Sequence, residues 1–345
     1  MLAGVSTARR VTIRDVAERA GVSVTTVSNA VNGRGRLPEA TRAHVRGVAE
    51  ELGYRARASA RNLREGRTGQ IGLYCSFLTE IQGGLAGLGY YMAMVMGAAE
   101  VALGEELALM MLPTGLTAER LSAIDVDGLI VIDPVRDDEG VRELERLGLT
   151  IVTCERDPTP GAAHAGCVRS DHAAALHGLL EHLADDAGAS RVALVAAGDE
   201  TSWTEELNDS YRGWCAERGV PELVGRVPLS PRPEYAAAAV AELMDRPVGE
   251  RPDAIVVAPD GVAVTITRLL TERGLRVPED VRVASCVDGP MMVSGTPPVT
   301  AIDLQPAAMG RALAETLARL LRGEEGDDDR LLETRLHVRG STVAA

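Results

Sequence analysis

The sequence contains no lysine, so its 36 lysine-plus-arginine positions are all arginines. The guanidinium group offers a planar fork of donors that suits bidentate contacts with phosphate and guanine. No apolar run approaches the ~20 residues that a membrane span requires, and residues 1–10 lack the apolar segment of a secretory signal. These absences argue against a membrane or secreted protein, and we expect a soluble cytoplasmic chain.

Paired cysteines and recognisable metal or catalytic motifs are also missing. The five cysteines form no C-x-x-C pair, which argues against a disulfide framework or a zinc site. His172, His177 and His182 recur at five-residue steps, which rotates them away from a shared helix face. No G-x-S-x-G occurs, and the glycines of residues 83–89 do not fit a phosphate-binding loop. We therefore expect no metal, no cofactor and no enzyme activity.

Charge divides the chain into two parts. The formal net charge is −14, yet residues 1–67 hold 13 arginines against six acidic residues, a local charge of +7. The remaining residues hold 23 basic and 44 acidic side chains, a charge of −21. A basic head on an acidic body is typical of a protein that binds nucleic acid through the head alone.

The head, residues 1–56, has the pattern of three short helices. Thr12 followed by Asp15 predicts a capped helix start, and Gly21 predicts its end. Ser23 then begins a second helix after one intervening residue, a spacing that favours a helix-turn-helix. Pro38 suits the first turn of a third helix. Any three-helix bundle would show the same burial pattern, but the charge and the tight turn together favour DNA binding.

The head resembles the LacI/GalR (lactose-repressor) family. The resemblance lies in V-T-I-R-D-V-A-E-R-A-G-V-S-V-T-T-V-S-N-A-V-N-G (11–33) and P-E-A-T-R-A-H-V-R-G-V-A-E-E-L-G-Y (38–54). It implies that the second helix enters the major groove of DNA. The base-reading positions it implies are Val24, Thr25 and Asn29. The phosphate-contacting positions it implies are Thr12, Ser23, Thr26, Ser28 and Asn32.

Two head residues depart from the family pattern. Asn29 stands where arginine is usual, so an adenine contact is plausible in place of a guanine contact. Leu37 stands where a serine-like cap is usual, which predicts a third helix that is less well capped.

The segment 57–68 resembles the family's hinge helix. Its A-R-N-L run (60–63) implies that Leu63, with Ala60 and Arg61 beside it, enters the minor groove at the centre of a palindromic site. The alternative is a plain linker in which Leu63 contacts the next domain.

From residue 69 onward, short β-rich runs alternate with amphipathic segments, which predicts parallel sheets covered by helices on both faces. The predicted strands are 71–75, 107–112, 129–132, 151–153, 192–195, 254–257, 281–285 and 300–302. The predicted helices are 90–104, 138–147, 171–183, 235–244, 261–273 and 307–322. The acidic run 323–330 is predicted to be a solvated loop. The length favours two lobes with a ligand cleft between them.

The body resembles the family less closely. Its D-G-L-I (127–130) and V-P-E-D (277–280) imply a two-lobed effector domain like the periplasmic sugar-binding proteins, with three crossings between lobes. We expect one lobe at 69–170 plus about 301–325 and the other at 171–300 plus about 330–345. The effector-binding candidates are Tyr90, Tyr91, Glu155 and Asp288, each of which could equally be a packing residue.

Three positions weaken the expectation of a sugar ligand. Family members have an arginine at the position of Leu207, an asparagine at that of Pro259 and an acid at that of Val287, as the resemblance implies. A flexible insertion, 79–87, lies next to the expected cleft. We therefore expect a ligand less polar than a simple sugar, or none.

The leading hypothesis is a transcriptional regulator of the repressor type that binds palindromic operator DNA as a homodimer. We expect it in the cytoplasm, and at the nucleoid when it is bound to DNA. An unidentified small molecule in the interlobe cleft would control its affinity. A metabolite-binding protein with incidental DNA binding, or an enzyme built on the α/β body, are the alternatives. The basic head and hinge argue against the first of these, and the missing catalytic motifs argue against the second.

Overall fold

The computed structural model describes residues 11–31, 35–54, 67–76, 88–112, 119–120, 123–198, 201–228 and 233–343 of the chain. The chain divides into two compact units, residues 1–68 and residues 69–345. Each unit has a hydrophobic core of its own.

The first unit is built from three short helices, α1 (Ile13–Ala20), α2 (Val24–Val31) and α3 (Glu39–Glu51). Gly21 ends α1 in the left-handed conformation, with φ at 67°, and α2 begins three residues later. Pro38 lies just before α3 as its cap residue, not within its first turn, and no side-chain hydrogen bond caps the helix there. The fully buried residues of this unit are all valine or alanine, namely Val16, Ala17, Ala20, Val27, Ala30, Val45, Val48 and Ala49.

The second unit contains two sheets of six strands. The first sheet has the order β11-β5-β4-β3-β1-β2, and all its neighbouring strands are parallel. Its strands are β1 (Gln70–Cys75), β2 (Ala108–Leu112), β3 (Gly128–Ile132), β4 (Thr150–Cys154), β5 (Gly166–Ser170) and β11 (Asp329–Leu332).

The second sheet has the order β12-β10-β9-β8-β6-β7 and is parallel except for its edge strand β12. Its strands are β6 (Val192–Ala196), β7 (Val224–Arg226), β8 (Ala254–Val257), β9 (Arg282–Ser285), β10 (Thr300–Asp303) and β12 (Arg335–His337). Central strands such as β3, β6 and β8 are buried along their whole length, which requires helices on both faces of each sheet.

Helices cover both sheets. The helices of this unit are α4 (Leu88–Gly104), α5 (Glu139–Arg146), α6 (His172–Glu181), α7 (Ser202–Arg218), α8 (Pro233–Met244), α9 (Val262–Glu272), α10 (Pro290–Ser294) and α11 (Pro306–Leu321). A π-helical turn, His182–Asp186, extends α6, and a short 3₁₀ helix spans Val248–Glu250. α4 and α11 pack against each other on the first sheet, where Gly97 and Gly310 let the two backbones meet.

Three connections join the sheets, and each leaves from the carboxyl end of a strand. β5 leads into α6, which packs on β10 and β12, and β10 leads into α11, which packs on β3, β4 and β5. The third connection, residues 333–334, joins β11 to β12, whose first residue pairs with the last residue of β10. The carboxyl ends of the two sheets therefore face each other, the arrangement in which α/β folds bind ligands.

Several elements differ from the sequence expectation. The structure adds strands β5, β7, β11 and β12 and helices α7 and α10. β11 includes Asp329 and Arg330, so the prediction of a solvated loop through residue 330 was wrong at its end. The return to the second sheet falls at 333–334, later than the expected boundary near 330, because β11 pairs with β5. Among the described residues, no helix is long and apolar enough to cross a membrane.

Candidate functional site

The start of α1 is fixed by a reciprocal pair of hydrogen bonds. The Thr12 hydroxyl oxygen accepts a bond from the Asp15 amide at 3.4 Å. The Asp15 carboxylate accepts one from the Thr12 amide at 2.7 Å. This is the capping box that the sequence predicted, and it leaves Thr12 on the surface, where its phosphate-contacting role remains a prediction.

The start of α2 is organised in the same way. The Ser23 hydroxyl oxygen accepts a hydrogen bond from the Thr26 amide at 3.1 Å, and the two hydroxyls lie 2.9 Å apart. The positive end of the helix dipole lies at this first turn and favours an anion. Ser23 and Thr26, both predicted phosphate contacts, therefore lie at a helix end suited to phosphate.

The outer face of α2 carries the predicted base-reading side chains. Val24 is 43% exposed although it is apolar, and Thr25 beside it is exposed as well. Ser28 and Asn29 follow at three- and four-residue spacing and are half-buried. A surface of short polar groups with one exposed apolar side chain can form hydrogen bonds to base edges and contact a thymine methyl.

The end of α2 is held by two arginines of α3. Arg42 donates hydrogen bonds to the carbonyl oxygens of Asn29 at 3.4 Å and Gly35 at 3.2 Å. Arg46 donates one to the carbonyl oxygen of Ala30 at 3.1 Å. Sequence reasoning missed both contacts, although the four-residue spacing of the arginines on α3 places them on one helix face.

Some predicted DNA contacts lie outside the described residues. These are Asn32, which follows α2 in the sequence, and the three hinge residues, Ala60, Arg61 and Leu63. Their roles stay predictions, as does the inserted segment 79–87.

In the second unit, the start of α4 brings a pair of tyrosines to the carboxyl edge of the first sheet. The rings of Tyr90 and Tyr91 stack edge to face, with centroids 5.2 Å apart. The Tyr91 hydroxyl donates a hydrogen bond to Asp133, which follows β3, at 3.3 Å. Burial, reinforced by the charge of Glu155, raises the pKa of Asp133 to about 7. Two predicted site residues thus meet an acid that sequence reasoning had not selected.

Glu155, directly after β4, forms the centre of a buried polar group. One of its carboxylate oxygens accepts a hydrogen bond from the Ser170 amide at 3.2 Å and lies 2.9 Å from His172 Nε2. Burial opposes protonation of His172, but the charges of Glu155, Glu206 and Asp133 outweigh it and raise the pKa of the imidazole. Glu155 is 3% exposed, so its polar partners come from inside the protein.

The second lobe contributes an aromatic ring and further acids from the facing side of the cleft. Trp203, at the start of α7, stands edge to face with His172, their ring centroids 6.4 Å apart. Burial raises the pKa of Glu206 on the same helix. It also raises the pKa of Asp260, after β8, to about 7, with the charge of Asp288 adding to the effect.

Asp288 is a predicted effector contact that the structure shows engaged elsewhere. Arg339 donates two hydrogen bonds to its carboxylate, at 2.9 and 2.6 Å, and His337 Nδ1 lies 2.8 Å from it. Burial opposes ionisation, but these partners outweigh it and lower the pKa of Asp288. This arrangement ties the end of β9 to the segment after β12.

The three residues that argued against a sugar are all buried: Leu207, Pro259 and Val287. Each has an acidic neighbour in sequence at the facing carboxyl ends, namely Glu206, Asp260 and Asp288. The cleft is therefore more polar than those three residues suggested.

The two lobes contact each other beside the cleft. Val135 of the first lobe forms an isolated antiparallel bridge with Thr201 of the second. Next to it, Arg136 forms an ion pair with Glu205. A side-chain atom added at Gly89 would lie 3.7 Å from Pro290, so α4 also approaches α10.

Among the described residues, no three His, Cys, Asp or Glu side chains converge as metal ligands do. The three helical histidines have separate surroundings. His177 is 4.0 Å from Glu181, whereas His182 lies 3.0 Å from the buried Thr342 hydroxyl and His172 contacts Glu155.

Both units are similar to known protein families. Residues 12–56 match the model of bacterial regulatory proteins of the lacI family. Residues 180–342 match the model of a periplasmic binding protein-like domain. The chain is 31% identical over 344 residues to the HTH-type transcriptional regulator CelR of Thermobifida fusca, across 96% of this chain and 98% of that one.

Solved structures with this fold are similar over nearly the whole chain. A transcriptional regulator CelR-cellobiose complex aligns with a TM-score of 0.68 and 28% identity, covering 96% of this chain and 100% of the other. The lac repressor dimer bound to operator and the anti-inducer ONPF aligns with a TM-score of 0.78 and 24% identity, covering 97% and 100%.

Proposed function

The chain belongs to the LacI family of bacterial regulatory proteins, and on that premise we propose that it is a repressor-type regulator that binds palindromic operator DNA as a homodimer. The family assignment makes it a transcriptional regulator with a helix-turn-helix domain and a periplasmic-binding-protein-like domain. The proposal adds the symmetry of the DNA site, the role of named residues and the control by a ligand in the cytoplasm.

One observation carries the DNA-binding part. The outer face of α2 exposes Val24 and Thr25, and the hydrogen-bonded Ser23 and Thr26 lie at the start of the helix, an end that favours anions. We assign phosphate contacts to this end, with Thr12, Ser28 and Asn32. Base reading falls to Val24, Thr25 and Asn29. The hinge residues Ala60, Arg61 and Leu63 would occupy the minor groove between the half-sites.

Exposed apolar side chains support dimer formation through the second unit. On α4, Met92 is 45% exposed, Met96 63% and Leu103 79%, and Met111 on edge strand β2 is 47% exposed. The three α4 side chains recur at four- and seven-residue spacing, so they share one helix face, and an exposed apolar face of this kind marks an interaction surface. A second copy of the chain is the partner we propose, because a palindrome presents two identical half-sites to a two-fold symmetric dimer.

The cleft of the second unit is proposed to hold the small-molecule effector. The carboxyl ends of the two sheets face each other there and bring together two tyrosines and three acids: Tyr90, Tyr91, Glu155, Asp133 and Asp260. Such a set of groups favours a ligand that offers hydrogen-bond donors. The related CelR structure was solved with cellobiose. Asp288 would act indirectly, by holding the end of β9. Ligand binding would change how the lobes close and, through the hinge, the spacing of two heads.

The full-length protein should select related sequences from a pool of random duplexes at moderate ionic strength, and those sequences should be palindromic. Band shifts with a selected duplex and a scrambled one would then give the specificity ratio, which is typically about 10³ or more for a specific regulator. A panel of mono- and disaccharides and other metabolites is added to the same reaction to find the effector.

An enriched site that is a single asymmetric half, bound by one protomer, would contradict the dimer proposal. Equal retention of all duplexes would contradict sequence-specific regulation, and a metabolite that changes the melting temperature but never the DNA affinity would contradict ligand control.

A further inference from the structure

The last carbonyl groups of α2 have partners outside their own helix. A helix leaves its final carbonyls without internal hydrogen bonds, and they carry the negative end of the helix dipole. Here Arg42 and Arg46 of α3 supply the donors, to Asn29 at 3.4 Å and to Ala30 at 3.1 Å. The end of the proposed reading helix is thus held by charged donors from the helix behind it.

Arg42 does more than cap the helix. Its other terminal nitrogen donates to the carbonyl oxygen of Gly35 at 3.2 Å, so one guanidinium group joins the end of α2 to the turn just before α3, residues 35–38. The Arg42 side chain is 14% exposed, and Glu39 lies 3.7 Å from its Nε. A guanidinium that is largely buried and directed at two carbonyls is poorly placed to contact a DNA phosphate.

The Asn29 side chain contacts Gly35, the same residue whose carbonyl oxygen accepts the second Arg42 hydrogen bond. A side-chain atom added at Gly35 would lie 3.1 Å from Asn29 Nδ2, so the amide packs directly against this glycine. Gly35 has φ at +74°, a conformation that side chains other than glycine rarely adopt. Both the backbone and the amide of Asn29 are therefore constrained by the segment that Arg42 bridges.

We propose that Arg42 is a positioning residue for sequence reading: it fixes the direction in which the Asn29 amide meets a base without contacting DNA itself. This inference rests on the proposed base-reading role of Asn29. An amide recognises adenine only when its donor and acceptor are both aligned with the base edge. A small rotation of the end of α2 would lose that pair of bonds and leave the charge of the head unchanged.

Arg42→Lys separates positioning from charge. Lysine keeps the positive charge, but its single ammonium group cannot reproduce the planar fork that spans two carbonyls. We expect Arg42→Lys in the full-length protein to reduce the preference at one base pair of the selected operator about tenfold, and Asn29→Ala to reduce it at the same pair. The double variant should lose no more than either single variant, since both remove the same interaction.

The salt dependence of binding supplies the second readout. Each neutralised phosphate contributes about −0.9 to the slope of log affinity against log salt concentration. Arg42→Gln should leave the slope unchanged and lose the same base preference. Arg36→Gln removes an exposed arginine of the same turn and serves as the matched control, with its base preference intact. Helical circular dichroism of each variant checks that the head remains folded.

Two results would overturn the inference and make Arg42 a phosphate contact. The first is an Arg42→Lys variant that keeps its full base preference. The second is an Arg42→Gln variant whose salt-dependence slope is smaller in magnitude by about one and whose affinity falls equally for all duplexes. Separate results identify a failure of the proposed function. A wild-type protein without sequence preference removes both, whereas an unchanged preference in Asn29→Ala removes the reading role of Asn29 and the inference with it.

Discussion

The two units of the chain are stabilised in different ways. The fully buried side chains of the first unit are all valine and alanine, whereas the second unit buries leucine, isoleucine, methionine, tyrosine and tryptophan in clusters that run through both sheets. Short side chains bury little area each, so a three-helix unit of this kind gains little from the hydrophobic effect. We infer that hydrogen bonds at helix ends matter more in the first unit and close packing matters more in the second.

The closest packing in the second unit gives the largest expected effect. A side-chain atom added at Gly97 of α4 would collide with the backbone carbonyl of Ala307 at the start of α11, and backbone cannot rotate away. We expect Gly97→Ala to destabilise this unit by about 3 kcal/mol, the upper end of the usual cost of overpacking. Both tryptophans, Trp203 and Trp214, lie in this unit, so their fluorescence during denaturant unfolding measures its stability.

Gly104 at the end of the same helix supplies the control. No atom lies within 4 Å of a side-chain atom added there, so Gly104→Ala should be neutral or slightly stabilising. Equal losses from the two variants would show that the contact between α4 and α11 does not determine the result.

The corresponding test in the first unit removes a cap. Thr12→Ala deletes the hydroxyl that accepts the Asp15 amide and should destabilise the head by about 1 kcal/mol. Amide hydrogen exchange across α1 in the full-length protein measures the loss, while tryptophan fluorescence should report an unchanged second unit.

Thr12→Ser keeps the hydroxyl and should restore exchange protection. If Thr12→Ala left the protection of α1 unaltered, the contrast between a cap-dependent head and a packing-dependent body would fail.

The same contrast explains what could be predicted from the sequence. The three head helices follow from signals a few residues apart, such as Thr12 with Asp15 and the glycine at 21, and the structure has all three. The central strands β1, β3, β6 and β8 are short apolar runs buried on both faces, and they were also predicted.

Three of the four missed strands, β7, β11 and β12, are edge strands. An edge strand is partly solvated, so its composition carries little signal, and β11 pairs with β5 across more than 150 residues of chain. Helix α7 was missed because asparagine, aspartate, serine and glycine interrupt its pattern. Tertiary contacts hold it, among them the bond from the buried Tyr211 hydroxyl to the Val192 carbonyl at 2.8 Å.

The cleft shows the same limit at the level of single residues. Tyr90, Tyr91 and Glu155 were selected through a family resemblance, but Asp133, Glu206 and Asp260 were not. Their placement depends on which strand ends face each other, and that follows from the three crossings and not from local sequence. Asp288 was selected for the right edge of the sheet, yet its partners come from β12 (His337) and from the segment after it (Arg339), and they could not be anticipated.

Two of these acids, Asp133 and Asp288, test whether the cleft is built for stability or for binding. Burial raises the pKa of Asp133 to about 7 in the folded protein, against about 3.9 in an unfolded chain. The folded state then holds more protons than the unfolded state between those values, so stability falls as the pH rises from about 4 to 7. Asp133→Asn removes this ionisation and should raise the melting temperature at pH 8 but not at pH 4.

Asp288→Asn should behave in the opposite way. Its partners lower the pKa of Asp288, so its carboxylate stabilises the fold above the unfolded value near 3.9, and that contribution disappears as the pH falls through the folded value. The variant should therefore melt below the wild type at pH 8, with a smaller difference at pH 3, by tryptophan fluorescence. If Asp133→Asn also destabilised the protein at pH 8, the Asp133 carboxylate would be part of the structural framework. A gain in stability, in contrast, means that the fold maintains a buried acid against its own stability, as expected of a group kept for a ligand.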